Sequence, residues 1–245
     1  MHKKGWMMTI AAVGFLITIF FLIDYQIIAK DTLGGVYYGG SEVKLIKIYQ
    51  KTDEMNLNLN YFGSEAYKKS LWQLSEKAGW SKSYDMPNGC FVDGFVLGLN
   101  KCRPDLREQL KKEFLENFNE LINNYAKEDK KYKVFEDKEI IVTDNSIEGE
   151  KEAIRLINES DDLKVWVDAI PSFKIDFNEL VLFKNIWWGI DQCSIGKFVD
   201  CFKSKGFRFN TRALGGYFLI EVDTGKNIFY RGEIKPINVK FLVSK

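Results

Sequence analysis

The sequence predicts an α+β protein: one N-terminal transmembrane helix, then a disulfide-containing domain with helices early and antiparallel strands late. Three observations carry this prediction. An apolar run lies near the N-terminus, helix-period apolar residues dominate residues 42–125, and alternating apolar residues dominate the last third of the chain. We expect an anchor over residues 1–30, a glycine-rich hinge over 31–41 and one extracytoplasmic α+β domain over 42–245.

Composition indicates a folded domain with no attraction to nucleic acid. Hydrophobic residues make up 46% of the chain and aromatic residues 15%, which is too much apolar content for a disordered tail. The 35 lysines and arginines balance the 34 aspartates and glutamates, so no net field draws the chain to a polyanion. We therefore expect no nucleic-acid partner.

The apolar run over residues 6–23 has the length of a membrane span. At ~1.5 Å per residue it rises ~27 Å, against a hydrocarbon core of ~30 Å. It is longer than the usual ~7–15-residue core of a secretory signal, and no small-residue cleavage site follows it. We predict a retained anchor whose apolar side chains contact the lipid bilayer, among them Trp6, Phe15, Phe20, Phe21 and Ile23.

Charges beside the run predict its orientation. Lys3 and Lys4 lie directly before it, whereas Lys30 at its exit is followed by Asp31. Because basic flanks stay on the cytoplasmic side, we expect a cytoplasmic N-terminus, a single pass through the cell membrane and an extracytoplasmic C-terminal domain. The partners expected through this helix are the bilayer itself and other envelope or surface proteins.

Two early parts of the chain have helix period. Ser41 can cap a helix that carries apolar residues as far as Tyr49, and the period resumes before Gly79, which predicts two helices or one long interrupted helix. The clearest helix begins at Asp105, whose carboxylate can cap while Glu108 reaches back. Its single apolar stripe comprises Leu106, Leu110, Phe114, Phe118, Leu121 and Tyr125.

The later segments mix short helices with alternating strands. We predict a hairpin around residues 137–138 and helices over 150–158, 178–188 and 194–205. Strands are predicted at 163–167, 173–177, 217–222, 227–232 and 237–243. Asp223-Thr224-Gly225 is similar to an aspartic-protease motif, but no second copy supplies a paired carboxylate, so a turn between two strands is favoured.

The four cysteines form two local pairs. Of three possible connectivities, Cys90 to Cys102 and Cys193 to Cys201 is favoured because each partner is close in sequence. Paired cysteines indicate an oxidising compartment. On one continuous helix Cys193 and Cys201 would be ~12 Å apart, so Cys193 must precede the helix. Zinc sites prefer ~2–4-residue spacings, so we expect no metal, and no cofactor.

The single histidine restricts the chemistry open to the outer domain. Because His2 lies before the anchor, Ser-His, Cys-His and His-metal arrangements are excluded there, and no glycine-rich phosphate loop occurs. A catalytic pair of carboxylates is not excluded, because 34 acidic residues offer many combinations. The candidate residues include Asp161, Asp162 and Asp168. Two interpretations fit the tryptophans Trp166, Trp187 and Trp188. They form a ligand platform or, as the preferred interpretation, they belong to the core.

Two resemblances bear on these expectations. Lys3-Lys4-Gly5 before the apolar helix resembles the class III signal of archaeal type IV pilin-like proteins, in which a peptidase cuts after the glycine and leaves a helix starting at Trp6 here. That family commonly has a glutamate where this chain has Ile10. The alternative to a processed pilin-like signal is a plain signal anchor with two basic residues. Three stretches are similar to uncharacterised membrane-anchored proteins of small-genome archaea, which implies location and architecture only: 42–50, 102–125 and 171–177.

These observations together predict a membrane-anchored extracytoplasmic binding or assembly module, with an enzyme as the less favoured interpretation. Two alternatives stay open. The first is a pilin-like surface subunit, and the second is a cell-envelope hydrolase that uses carboxylates only.

Overall fold

A computed structural model describes residues 38–126, 135–160, 163–193, 197–230 and 232–244. The helices are α1 (Tyr38–Glu76), α2 (Leu106–Ala126), α3 (Glu179–Gln192) and α4 (Phe198–Ser204). The strands are β1 (Phe91–Val92), β2 (Phe95–Val96), β3 (Ile140–Val142), β4 (Ser146–Glu150), β5 (Ile154–Ser160), β6 (Leu163–Ala169), β7 (Ser172–Asp176), β8 (Arg208–Leu214), β9 (Tyr217–Tyr230) and β10 (Glu233–Ser244). The predicted α+β class is confirmed.

The predicted anchor and its flanks lie outside the described residues. This applies to Trp6, Phe15, Phe20, Phe21 and Ile23, and to Lys3 and Lys4. Of the predicted hinge, residues 38–41 belong to α1. No helix in the described part of the chain combines the length and apolar character needed to cross a membrane.

The chain divides into two compact units. The first comprises residues 1–51 and 155–167, and the second comprises 52–154 and 168–245. The described part of the first unit contains the first turns of α1 and most of the two-stranded β5-β6 sheet. The second unit contains the disulfides, the remaining sheets and the other helices.

In the second unit, α1 and α2 are joined through buried polar side chains. Asn117 on α2 donates to the Ser70 hydroxyl on α1 at 2.9 Å. After α1, Ser81 donates its backbone N–H to Gln109 at 2.9 Å and its hydroxyl to Glu113. All five residues are buried. Because a buried polar group is costly unless it is hydrogen-bonded, these contacts favour one register between the two helices.

The one-helix alternative is confirmed for the early segment, and α1 covers a sheet edge. Asn56 and Asn60 on α1 accept backbone N–H groups of Ser172 at 3.3 Å and Lys174 at 3.2 Å on β7. β7 is the outer strand of the antiparallel β3-β4-β7 sheet. The helix therefore satisfies backbone donors that an edge strand would otherwise leave to solvent.

The predicted cap and most of the predicted stripe of α2 are confirmed. Asp105 Oδ1 accepts the backbone N–H groups of Arg107 at 3.1 Å and Glu108 at 3.3 Å, as an N-cap does. The stripe is buried from Leu106 to Phe118. At its end the prediction is wrong for Tyr125, which is exposed, because the buried residue in the last turns is Ile122.

The apolar face of α2 packs on the β3-β4-β7 sheet. The rings of Phe114 and Phe118 lie 5.8 and 4.6 Å from that of Phe173 on β7. The ring of Phe135 lies 5.2 Å from that of Phe118. Gly149 on β4 makes this packing possible, since an added Cβ would come within 2.3 Å of the Phe173 ring.

A second aromatic cluster covers one face of the antiparallel β10-β9-β8 sheet. Phe202 on α4 lies 5.4 Å from Phe209 on β8 and 6.1 Å from Phe241 on β10. Phe207 stacks on Phe202 at 4.3 Å. On α3, a Cβ added to Gly189 would come within 2.5 Å of the Phe207 ring, so the glycine permits this close packing.

The prediction of a turn at Asp223-Thr224-Gly225 is wrong, because β9 runs through these residues. Three residues of β9, from Thr224 to Lys226, lie opposite Ile237 alone on β10. Gly225 has φ +67° and donates its N–H to Asp223 Oδ1 at 2.8 Å. The string therefore builds a β-bulge, which uses the local chemistry of a turn without reversing the chain.

Two further predictions are corrected by strand pairing. Asp137–Glu139 is a 3₁₀ turn rather than a hairpin, and β3 pairs with β4. The helix predicted over 150–158 is wrong because most of that segment is β5, which pairs with β6. β8 is not predicted by the sequence pattern at all. The elements predicted at 163–167, 173–177, 178–188, 194–205 and 237–243 correspond to β6, β7, α3, a shorter α4 and β10.

Candidate functional site

Both predicted disulfides are present. Cys90 and Cys102 have their sulfurs 2.05 Å apart, and Cys193 and Cys201 have theirs 2.08 Å apart. These are all four cysteines of the chain, so no thiol remains for a nucleophile or for a four-thiolate metal site. Cys193 follows the last residue of α3 and precedes α4, as the distance argument requires.

A cavity of about 470 Å³ opens at one end of the β3-β4-β7 sheet. β3 and β4 are antiparallel, with Ile140 opposite Gly149, so the turn before β3 and the residues after β4 meet at the same end. The lining residues are Glu136, Lys138, Glu139, Glu150, Lys151, Glu152, Ala153 and Ile154. We call these residues the glutamate cavity.

The 3₁₀ turn Asp137–Glu139 positions one side of the glutamate cavity. Glu139 Oε2 accepts the backbone N–H of Glu136 at 2.6 Å, and the Glu136 side chain accepts a backbone N–H in return, which forms a capping box. Lys138 Nζ lies 3.1 Å from Glu136 Oε2. The hydrogen bond that Lys138 donates to Glu136, and then the negative charge of Glu136, raise the pKa of Lys138 above its ordinary value.

Lys151 connects the glutamate cavity to the aromatic core. Its backbone N–H donates to the carbonyl of Pro171 at 3.0 Å, and only 9% of its side chain is exposed. Its ammonium lies 4.6 Å from the centre of the Phe135 ring and 3.8 Å from Glu139 Oε2. A cation–π contact and an ion pair therefore hold a positive charge inside a mostly acidic lining.

The chemistry of this lining is that of carboxylates and ammonium groups. Four glutamates outnumber two lysines, so the glutamate cavity can accept hydrogen bonds from hydroxyl and amino groups and donate from Lys151. Carboxylates can also act as general acid and base. Among the described residues, no group of three His, Cys, Asp or Glu side chains has the geometry to hold a metal ion.

A second, smaller cleft of about 270 Å³ at the start of α2 contains three cations that are already paired. Arg103 bonds Asp191 at 3.1 Å, Arg107 bonds both oxygens of Asp144, and Lys184 bonds Asp144 as well. The hydrogen bonds from Arg107 and then Lys184 hold the pKa of Asp144 well below its usual range. Because the charges neutralise one another, we interpret this cleft as a structural ion-pair cluster.

The other residues considered from sequence do not join the glutamate cavity. Trp187 is buried and donates its indole N–H to the carbonyl of Ala78 at 2.9 Å. It therefore belongs to the core, which is the preferred interpretation from sequence. Trp188 is exposed beside Lys205, whose ammonium lies 5.1 Å from its ring. Asp168 is exposed on β6, and residues 161–162 lie outside the described part.

The sequence analysis does not identify the glutamates of the cavity. One local pattern points to part of it, because Glu136 and Glu139 have the spacing of a capping box. Glu150 and Glu152 carry no such pattern. They reach the cavity through the β3-β4 hairpin, whose pairing register brings the residues before β3 and after β4 to the same end of the sheet.

Comparison with known proteins adds no family assignment. No protein-family model matches the chain, and no curated protein or solved structure is significantly similar to it.

Proposed function

We propose that this chain is a membrane-tethered, extracytoplasmic binding or assembly module, attached to the bilayer by the apolar run over residues 6–23. The observation that carries the proposal is that both cysteine pairs are bonded. Disulfides persist in oxidising compartments and are rare in the cytosol, so the two bonds support an outward-facing domain. The basic flank at Lys3 and Lys4 favours the same orientation.

The glutamate cavity is the proposed ligand site of this module. Its volume falls within the ~300–1,000 Å³ range of small-molecule pockets. Lys151 is fixed by Phe135 and Glu139, so its donor is in place before a ligand arrives. The acidic lining fits a small polar ligand that presents hydroxyl or amino groups.

Protease treatment of intact cells tests the location. Protease added outside should remove the folded domain and leave a short membrane-bound N-terminal fragment, while a cytoplasmic marker protein stays intact. Permeabilised cells provide the control in which both proteins are cleaved. Full protection of the domain in intact cells would contradict the proposal.

A carboxylate-only hydrolase is a second candidate, favoured by the four glutamates that line one cavity. In this interpretation Glu139 and Glu150, at the same end of the β3-β4 ladder, share the acid and base roles. Hydrolysis of purified envelope glycans by the full chain should then disappear in both Glu139→Gln and Glu150→Gln. Glu108→Gln, an exposed position on α2, is the matched control. Absence of hydrolysis by the unsubstituted chain would end this candidate.

A pilin-like subunit is a third candidate, favoured by the exposed apolar side chains on the first turns of α1. Val43, Ile46 and Tyr49 are each more than half exposed, at 51%, 54% and 53%. Large exposed apolar residues on one helical segment are typical of a surface that packs against another molecule. The mass of the native N-terminus decides: a chain beginning at Trp6 supports processing and assembly, whereas an intact Met1 leaves a plain anchor.

A further inference from the structure

The outer edges of two sheets in the second unit are protected in different ways. The edge of β7 is covered by Asn56 and Asn60 of α1, which accept its backbone N–H groups. The edge of β10 contains Pro236, which has no N–H to offer, and its Leu242 carbonyl accepts the N–H of Gly98 at 2.6 Å. Both are devices by which proteins prevent an edge from pairing with another strand.

The opposite edge of the β10-β9-β8 sheet has no such cover within the described residues. β8 pairs with β9 along its whole length, from Arg208 opposite Asp223 to Leu214 opposite Tyr217, without a register shift. It contains neither proline nor glycine. No described strand or loop backbone bonds its other side. β8 thus presents a row of backbone donors and acceptors to solvent.

The side chains of β8 add a charge pattern to this edge. Phe209 packs on Phe202, so its neighbours Arg208 and Asn210, with Arg212 two residues further on, point to the other face of the sheet. Both arginines are exposed, and neither forms a hydrogen bond or ion pair with another described residue. Their Cα atoms are about 13 Å apart, at ~3.3 Å per strand residue.

We propose that β8 binds an extended acidic segment of a partner protein as an added strand, with two acidic residues spaced four apart paired to Arg208 and Arg212. The backbone ladder supplies affinity, and the guanidinium–carboxylate pairs select the sequence. A second copy of this chain fits less well, because edge-to-edge pairing of two β8 strands would bring four guanidinium groups together. This inference does not depend on the ligand of the glutamate cavity.

Peptide binding to the full chain in lipid nanodiscs tests the proposal. The probe is the capped, fluorescently labelled peptide Val-Glu-Val-Thr-Val-Glu-Val, whose glutamates are four apart on one face. Its isomer Val-Glu-Val-Thr-Glu-Val-Val has the same charge but places the glutamates on opposite faces. The first peptide should bind about two- to fivefold more tightly than the isomer, the effect of one cross-strand charge pair. Equal affinity of the two peptides would overturn the proposed charge pairing.

Variants of the chain and of the peptide separate strand addition from general charge attraction. Arg208→Gln and Arg212→Gln should each weaken binding about two- to fivefold, whereas Lys226→Gln on exposed β9 surface should not. N-methylation of alternate peptide residues should abolish binding for one set and spare it for the other, because only one set faces β8. Equal effects of the two sets, equal effects of all three variants, or self-association of the chain through β8 would each overturn the proposal.

Discussion

The two disulfides differ in their surroundings. Cys90 and Cys102 are both fully buried, and the carbonyl of Cys102 accepts the indole N–H of Trp80 at 2.9 Å. Cys193 is 8% exposed and Cys201 is half-buried, and their bond spans 8 residues rather than 12. The first bond is part of the core beside the start of α2, and the second lies nearer the surface. The Cys90–Cys102 bond should therefore contribute more to stability. The Cys193–Cys201 bond should be more accessible to a reductant.

An ion pair joins the two segments that lie next to the disulfides. Arg103 follows Cys102 directly, and its guanidinium bonds Asp191, which lies two residues before Cys193, at 3.1 Å. The other carboxylate oxygen of Asp191 is buried and has no hydrogen-bond partner among the described residues. Asp191 thus depends on Arg103 for its charge balance, so a change beside one disulfide can reach the segment beside the other.

Removal of the buried bond should have the largest effect. Replacing Cys90 and Cys102 with alanine should lower the free energy of unfolding by about 3 kcal/mol from loop closure alone, with lost packing in addition. Chemical denaturation of the full chain in detergent measures the change. The matched control is Cys193→Ala with Cys201→Ala, which should cost less. A larger loss in the control would invert the comparison.

Limited reduction sharpens the same contrast. Low concentrations of thiol reductant should open the Cys193–Cys201 bond first, because a thiolate must reach a sulfur to exchange with it. Alkylation followed by peptide mass spectrometry gives the order of labelling. Simultaneous labelling of all four cysteines would mean that reduction follows global unfolding rather than local access.

The cysteine pairing is a feature that the sequence alone predicts. Spacing alone favours Cys90 with Cys102 and Cys193 with Cys201, since a local loop is the simplest to close. The start of α2 is predictable for the same reason, because Asp105 caps the residues that follow it. Features that depend only on residues close together in the sequence can be predicted without a structure.

Features that depend on which strands pair, and in which register, were not predictable. β5 has residues that suit either state, and its pairing with β6 decides for a strand. β8 shows only a weak alternation, and β9 supplies its partner. The glutamate cavity requires the residues before β3 to meet those after β4, which no local pattern states. In the bulge of β9, the turn chemistry of Gly225 was recognised but its context was not.

A smaller effect is expected from the ion pair between Arg103 and Asp191. Arg103→Gln should destabilise the chain by about 1 kcal/mol, because it leaves the partly buried Asp191 carboxylate without its cation. Asp191→Asn in the same background should recover part of that loss. A double-mutant cycle from denaturation curves measures the coupling. Strict additivity of the two substitutions would show that Arg103 and Asp191 are not coupled.

The smallest effect belongs to Asp144, which is exposed and pairs with Arg107 and Lys184. Its pKa is lowered in the folded state, so it contributes stability above its ordinary pKa of about 4. That contribution fades as the pH falls below this value towards the lowered pKa. Asp144→Asn should therefore be slightly less stable than the unsubstituted chain at pH 7, with the gap narrowing as the pH falls below about 4.

Peptide mapping of the protein from its native membrane tests the central claim most directly. Free thiols are blocked at once on extraction, and the chain is digested without reductant. We predict one linked pair containing Cys90 and Cys102, another containing Cys193 and Cys201, and no blocked cysteine, as expected for a domain in an oxidising compartment. Four blocked cysteines would contradict the extracytoplasmic location.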